Sequence, residues 1–221
     1  MKRVFLYSHG FATHADDGGI FSDVASFFPD DTHIMFEYDD WDGDVATAAT
    51  FSDRAEKLKD KYAEVRAKYP DAEIDLICHS QGCNVAMLAQ LDGVKKTIML
   101  TPPMVYGSPE EEYEHRRKNK KSEVLGDGTI IRQRSAGYKT MIKPDFFDDF
   151  SLLSDTQGLC NQLRAKTELY IIDALNDDVV KKDYSRLNDG IVVKYVNANH
   201  NLQDSGGSRR ETEEILRDIF R

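Results

Sequence analysis

The stretch DLICHSQGCNV, residues 75–85, joins a continuous apolar run to a segment with helical spacing, and it places Ser80 at the junction. A strand that turns directly into a helix presents the turn residue at the edge of a sheet, where the helix dipole favours negative charge. Gly82 permits a close approach of the helix to the strand. The stretch therefore predicts an α/β architecture with a serine on a sharp strand-to-helix turn.

Short apolar runs recur along the chain, and most of them are continuous rather than alternating. Continuous runs are typical of strands that are covered on both faces, as in a parallel sheet. The predicted strands cover residues 4–8, 33–38, 73–78, 97–101, 168–173 and 191–196. Helical spacing between and after them predicts helices over residues 20–28 and 51–69, after Ser80, and beyond Ser208 and Glu211, which have the spacing of a capping box.

Length and charge limit the class of protein. A chain of 221 residues suits a single α/β domain over residues 1–221, and no apolar run reaches the roughly 20 residues that cross a bilayer. The net charge of −10 argues against nucleic acid or anionic lipid as a general electrostatic partner. The first residues lack the apolar stretch of a secretory signal, which predicts a cytoplasmic location. A small-molecule substrate is the remaining expectation.

The alternation of strands and helices breaks between Pro102 and Gly158. Residues 110–121 form a charged run, and residues 144–150 are aromatic and acidic. An excursion of this kind predicts a cap or lid insertion over residues 103–158. For residues 110–121 alone, a solvated helix with a loop is the alternative. Aromatic residues and a methionine argue against a purely solvated loop: Tyr106, Tyr138, Met141, Phe146, Phe147 and Phe150.

A serine hydroxyl is a weak nucleophile until a base removes its proton, and the best base is a histidine held by a carboxylate. Residues 173–180 (DALNDDVV) and 196–202 (VNANHNL) supply these groups directly after the last two predicted strands. The carboxyl ends of parallel strands gather site residues at one edge of a sheet. The order Ser80, an aspartate, then His200 is the one expected for this architecture.

A tetrahedral intermediate also needs backbone N–H donors for its negative charge. The expected donors are the residue after the nucleophile, Gln81, and Phe11 in the loop after the first strand. Of the nearby histidines, His9 is predicted to hold that loop by hydrogen bonds and His79 to pack beside the serine turn. Trp41 either lines the substrate pocket or packs half-exposed.

Four motifs in order resemble the α/β-hydrolase superfamily: SHGF at 8–11, CHSQG at 78–82, NDDVV at 176–180 and NANH at 197–200. The residues HGF and HSQG in the first two motifs, together with an insertion after LTPP, are similar to those of small bacterial esterases, including the cinnamoyl and feruloyl esterase group. The first strand resembles the third strand of the family, so a sheet of about six strands without the N-terminal hairpin is expected.

The resemblance implies Ser80 as the nucleophile, His200 as the base, and the backbone N–H groups of Phe11 and Gln81 as the oxyanion hole. The acid-loop pattern of the family favours Asp177, with Asp173 and Asp178 as competitors. The chain departs from the family at Cys78 and Ala174, where glycine is commoner.

The predicted function is a serine esterase that cleaves a small carboxylic ester through an acyl-enzyme, without cofactor or metal. A thioesterase or acyltransferase would use the same residues, and a non-catalytic binding protein on this scaffold is a further alternative. The three cysteines are expected to be buried thiols, and no oligomeric state is predicted.

Overall fold

The computed structural model describes residues 2–221. The strands are β1 (Arg3–Ser8), β2 (Thr32–Ile34), β3 (Asp40–Asp42), β4 (Val45–Thr47), β5 (Glu73–His79), β6 (Lys96–Leu100), β7 (Ser122–Val124), β8 (Ile130–Gln133), β9 (Lys139–Ile142), β10 (Glu168–Ala174) and β11 (Val192–Val196). The helices are α1 (Ile20–Phe27), α2 (Phe51–Lys68), α3 (Gln81–Ala89), α4 (Pro109–Arg117), α5 (Asp145–Asp148), α6 (Thr156–Arg164) and α7 (Arg210–Ile219), with a 3-10 helix at Asp149–Leu153.

The central sheet has six strands in the order β11-β10-β6-β5-β1-β2, and every neighbouring pair is parallel. This confirms the predicted α/β fold with a six-stranded parallel sheet. Two apolar clusters cover its faces: one contains residues of α2, α3 and α6, and the other contains residues of α1 and α7. Burial on both faces explains why the strands are continuously apolar.

Two predicted features are wrong in detail. The second strand stops at Ile34 instead of residue 38, and the chain beyond it is held by side chains: the Tyr38 amide donates to His9 Nε2, and the Tyr38 hydroxyl donates to Ser8 Oγ. The capping box before the last helix is absent, because Glu211 instead accepts the backbone N–H of Asn197.

A second sheet of five strands has the order β3-β4-β9-β8-β7. It was not predicted, because each of its strands has only three or four residues, too few to show an alternating pattern. The parallel pair β4 and β9 joins the loop after β2 to the segment 103–158. Segment 103–158 therefore supplies three strands of the second sheet, together with α4, α5 and the 3-10 helix, and backbone pairing attaches it to the rest of the chain.

Aromatic side chains fix the segment 103–158 to the body of the protein. The Phe146 ring stacks on Phe51 of α2 with ring centres 5.7 Å apart, and Phe150 meets Phe51 edge-on at 5.3 Å. Phe146 also lies 5.3 Å from Phe11 in the loop after β1. Both Phe146 and Phe150 are buried, so these contacts join the segment to the main core.

Within residues 2–221, no helix combines the length and the apolar character needed to cross a membrane. The cysteines Cys78, Cys83 and Cys160 are buried free thiols, as predicted.

Candidate active site

Ser80 occupies a strained turn between β5 and α3. Its backbone has φ 50° and ψ −129°, a conformation that costs on the order of 1–3 kcal/mol for a residue other than glycine. Its N–H donates to the carbonyl of Leu100 at 3.0 Å, and its carbonyl accepts the N–H of Cys83 at 2.9 Å. Pairing with β6 on one side and with α3 on the other therefore holds the serine at the carboxyl end of the sheet.

Gly82 allows the first turn of α3 to lie against β1. A Cβ atom at this position would lie 2.0 Å from the carbonyl oxygen of Ser8 and 2.7 Å from that of His9. The Ser8 hydroxyl donates to the Gly82 carbonyl at 2.9 Å, which fixes the same approach. Only glycine fits here without moving a strand.

His200, in the loop after β11, lies between the serine and an aspartate. Its Nε2 is 3.0 Å from Ser80 Oγ, and its Nδ1 is 2.8 Å from Asp177 Oδ2. The His200 carbonyl accepts hydrogen bonds from Thr101 Oγ1 at 3.1 Å and from His79 Nε2 at 3.0 Å. The structure therefore brings together the serine, histidine and aspartate that the sequence predicted, and it holds the histidine by its backbone as well.

Asp177 is the aspartate that contacts His200. Its side chain is fully buried, and its Oδ1 accepts the N–H of Val179 at 2.8 Å. Burial opposes ionisation, but the hydrogen bonds from His200 and Val179, together with Lys182 Nζ at 3.1 Å, hold the pKa of Asp177 well below its usual range. The carboxylate is therefore ionised at neutral pH.

The two other candidate aspartates, Asp173 and Asp178, are not hydrogen-bonded to His200 among the described residues. Asp173 pairs with Lys182 Nζ at 2.5 Å, and Asp178 is exposed. Lys182, which no sequence pattern singles out, thus joins Asp173 to Asp177 and also donates to the Ala174 carbonyl at 2.9 Å.

A second buried pair lies behind the serine turn, and sequence reasoning did not find it. Asp17 Oδ2 accepts the N–H of Gly10 at 2.7 Å and lies 2.8 Å from His79 Nδ1. Burial opposes ionisation of both groups, but the charge and hydrogen bond of each one favour the charged form of the other. The pKa of Asp17 is therefore lowered and the pKa of His79 is raised. Since His79 also donates to the His200 carbonyl, this pair links the loop after β1 to the histidine loop.

His9 has the structural role that was predicted for it. Its Nδ1 lies 3.0 Å from the Gly10 carbonyl, and its Nε2 accepts the amide of Tyr38. Burial lowers the pKa of His9 to about 3, and the nearby Arg54 guanidinium adds to the shift. A neutral imidazole is consistent with the acceptor role of Nε2.

The backbone N–H of Gly10 is not available to a ligand, because Asp17 accepts it. Among the described hydrogen bonds, none uses the N–H of Phe11 or of Gln81. Both residues line the cavity that contains Ser80. These two N–H groups are therefore free to serve a ligand beside the serine.

The cavity has a volume of about 850 Å³. Ser80, Gln81 and His200 line it, and segment 103–158 contributes many of the other lining residues, including Tyr106, His115, Arg116, Arg132, Arg134 and Tyr138. Trp41 is not one of its lining residues. The indole stacks on His14 with ring centres 3.7 Å apart, so the structure favours the packing alternative for Trp41.

Across residues 2–221, no three His, Cys, Asp or Glu side chains are grouped in a way that could hold a metal ion.

The chain resembles solved structures of esterases and lipases. The monoacylglycerol lipase of Paleococcus ferrophilus is 12% identical with a TM-score of 0.68, and the alignment covers 98% of this chain and 93% of the lipase. The esterase of Pyrococcus furiosus is 14% identical with a TM-score of 0.64, covering 97% and 80%. Est1E of Butyrivibrio proteoclasticus is 16% identical with a TM-score of 0.62, covering 99% and 86%. These matches confirm the resemblance to α/β-hydrolase esterases at the level of the fold.

No curated protein matches the chain in sequence. The family described as the T6SS Tle3 phospholipase effector domain matches residues 48–199. This range includes Ser80 and Asp177 and ends one residue before His200. Because the family covers more than half of the chain, the protein belongs to the T6SS Tle3 phospholipase effector domain family, on an α/β-hydrolase fold.

Proposed function

We propose that the protein is a serine hydrolase that cleaves carboxylic esters, with Ser80, His200 and Asp177 as a catalytic triad. The observation that carries this proposal is the continuous hydrogen-bonded line from Ser80 Oγ to His200 Nε2 (3.0 Å) and from His200 Nδ1 to Asp177 Oδ2 (2.8 Å). A serine, a base and an orienting carboxylate at these distances form the arrangement that activates a hydroxyl.

In the first half of the reaction, Ser80 Oγ attacks the ester carbonyl carbon while His200 Nε2 takes the hydroxyl proton. The ionised Asp177 accepts the Nδ1 proton of His200 in a hydrogen bond, which fixes the tautomer and stabilises the imidazolium. The depressed pKa of Asp177 keeps this carboxylate charged at neutral pH. The N–H groups of Phe11 and Gln81 stabilise the oxyanion of the tetrahedral intermediate.

Collapse of that intermediate breaks the bond between the carbonyl carbon and the alcohol oxygen. His200 gives its proton to the leaving alcohol, and the acyl group stays on Ser80 Oγ. Water then attacks the acyl-enzyme with His200 again as the base, which releases the acid and restores the serine. One ester and one water give one acid and one alcohol, so the cycle requires no cofactor.

The segment 103–158 is proposed to act as a lid within the single domain 1–221. The segment supports this role by supplying residues such as Tyr106 and Tyr138 to the lining of the cavity that contains Ser80. The description of the family as a phospholipase favours an acyl ester of the kind that phospholipids carry. Thioester cleavage and acyl transfer would use the same residues, and the cytoplasmic location stays a prediction.

The test compares wild type, Ser80→Ala and a control, Ser151→Ala, on p-nitrophenyl esters from acetate to long acyl chains. Ser151 is exposed on the 3-10 helix. We expect Ser80→Ala to lose a thousandfold or more of kcat, roughly the effect of removing a triad nucleophile, and Ser151→Ala to match wild type. A fluorophosphonate probe should label wild type and the control but not Ser80→Ala. Ester hydrolysis retained by folded Ser80→Ala would exclude this mechanism.

A further inference from the structure

Three arginines line the cavity without an ionic partner. Arg116 comes from α4, Arg132 from β8, and Arg134 follows β8 by one residue. The arginine ion pairs of residues 2–221 include none of these three. The Nε atoms of Arg116 and Arg132 are buried and have no hydrogen-bond partner among the described residues. Buried donors of this kind normally have a partner, which suggests a ligand.

The three guanidinium groups lie close enough to affect one another. Burial lowers the pKa of Arg116 to about 10, Glu112 opposes the shift, and the charges of Arg132 and Arg134 add to it. Glu112 also lines the cavity, but its Oε1 accepts the N–H of Gly107 at 3.0 Å. Like charges that are partly withdrawn from water repel one another unless an anion lies among them.

The carboxylates of the cavity offset the charge of these arginines only in part. Glu111 caps α4 through the N–H of Ser108, and Asp17 is paired with His79. Lys121 and Lys181 also line the cavity and add positive charge. In a chain whose net charge is −10, this wall is a local concentration of cations.

The arginines also lie beside the proposed oxyanion hole. The Arg116 guanidinium carbon is 4.4 Å from the centre of the Phe11 ring, and that of Arg134 is 5.7 Å from the same ring. Stacking on an aromatic face is a packing interaction that leaves the in-plane N–H donors of a guanidinium free. The stack therefore holds both guanidinium groups beside Phe11. Arg134 Nη2 donates to the Phe11 carbonyl at 3.5 Å, whereas the buried Nε of Arg116 has no partner among the described residues.

We propose that Arg116, Arg132 and Arg134 form an anion-binding subsite, and that the ester substrate carries a carboxylate or phosphate group beside the scissile bond. Guanidinium groups suit this role because they bind both anions through paired hydrogen bonds. The inference rests on the proposed ester hydrolysis at Ser80, and it adds the chemical class of the substrate.

The test measures kcat/KM on two matched pairs of esters. The first pair is 4-nitrophenyl pentanoate and 4-nitrophenyl hydrogen glutarate, whose acyl chains differ only by a terminal carboxylate. The second is a monoacylglycerol and the lysophosphatidate with the same acyl chain. The variants are Arg116→Gln, Arg132→Gln, Arg134→Gln and their combination, with Arg116→Lys to retain charge. Arg210→Gln on α7, in an exposed pair with Glu214 and outside the lining of the cavity, is the matched control.

We expect wild type to prefer the anionic member of at least one pair, and the pair concerned identifies carboxylate or phosphate. Each substitution to Gln should lower kcat/KM for that member by about tenfold to a hundredfold, with the neutral member changed by less than about threefold. Arg116→Lys should retain part of the preference, and Arg210→Gln all of it. Equal losses on both members would overturn the proposal, because they would indicate a purely structural role. A preference that survives the triple substitution would overturn it as well.

Calorimetry with inorganic phosphate separates this proposal from the proposed function. Phosphate binding by wild type that is lost in the triple variant supports the subsite even if neither ester pair is hydrolysed, in which case ester hydrolysis alone fails. Equal phosphate binding by wild type and the triple variant, or no anion effect in either the binding or the kinetic experiment, overturns the subsite.

Discussion

Replacement of Asp17 by asparagine tests the buried pair behind the serine turn. One oxygen, Asp17 Oδ2, accepts from both Gly10 N and His79 Nδ1, while His79 Nε2 donates to the His200 carbonyl. His79 makes both of its bonds only when both ring nitrogens carry protons, that is, as a cation. The asparagine side chain would keep the oxygen acceptor but remove the charge that balances this cation.

The structure sets the size of the effect. A neutral His79 would lose one of its two buried hydrogen bonds, at a cost of about 1–3 kcal/mol, and a cationic His79 without a counter-charge would cost about 3–5 kcal/mol. We therefore expect Asp17→Asn to lower the free energy of unfolding by about 1–3 kcal/mol, because the cheaper of the two states sets the loss. Asp218→Asn, in an exposed pair with Arg221, is the control, and it should change stability by less than about 0.5 kcal/mol.

The difference in the free energy of unfolding between wild type and Asp17→Asn should also depend on pH. The lowered pKa of Asp17 gives stability that is present above the ordinary aspartate value of about 3.9 and is lost as pH falls through the folded value. The raised pKa of His79 gives stability that is present below about 6.5 and is lost as pH rises through the folded value. Both contributions are therefore present together between about pH 4 and 6.5.

Urea unfolding of wild type, Asp17→Asn and Asp218→Asn at about pH 5.5 and about pH 8.5 measures this dependence. The gap between wild type and Asp17→Asn should be larger at the lower pH. A gap below about 1 kcal/mol at about pH 5.5, or one that grows toward about pH 8.5, would refute the charged pair. In the folded variant kcat should fall as well, because His79 holds the backbone of His200.

Two further substitutions test the turn and the acid. Gly82→Ala should prevent folding or lower the free energy of unfolding by more than about 3 kcal/mol, because its Cβ would lie 2.0 Å from the Ser8 carbonyl oxygen. Gly126→Ala, with open space at the same atom, should be close to neutral in the same unfolding experiment, and equal effects of the two would contradict the close approach. Asp177→Asn should lower kcat by about a thousandfold or more, while exposed Asp178→Asn should keep near-normal turnover. If p-nitrophenyl ester kinetics instead showed a large loss for Asp178→Asn and near-normal turnover for Asp177→Asn, the catalytic acid would be Asp178.

The central sheet was predictable because most of its six strands lie in continuous apolar runs, a pattern that is visible in a few adjacent residues. The three-residue strand β2 is the one whose predicted range was too long. The serine turn was predictable for a similar reason, since Ser80 and Gly82 lie within one short stretch. Asp177 and His200 follow strands, and parallel strands bring their carboxyl ends to one edge, so their meeting with Ser80 could be expected from their order.

The tertiary structure decided what depends on partners that are distant in the chain. The second sheet forms because β4 meets β9, and neither strand is long enough to show a pattern by itself. The pairing of Asp17 with His79, and that of Lys182 with Asp177, likewise has no periodic signal, because a charged residue is expected to be solvated until its burial is known. The charged run at 110–121 is most simply interpreted as a solvated helix, yet its Arg116 lies over Phe11 in the wall of the cavity. Sequence patterns determined which residues form the sheet and the serine turn, whereas the packing of segment 103–158 against them decided which of its arginines line the cavity that contains Ser80.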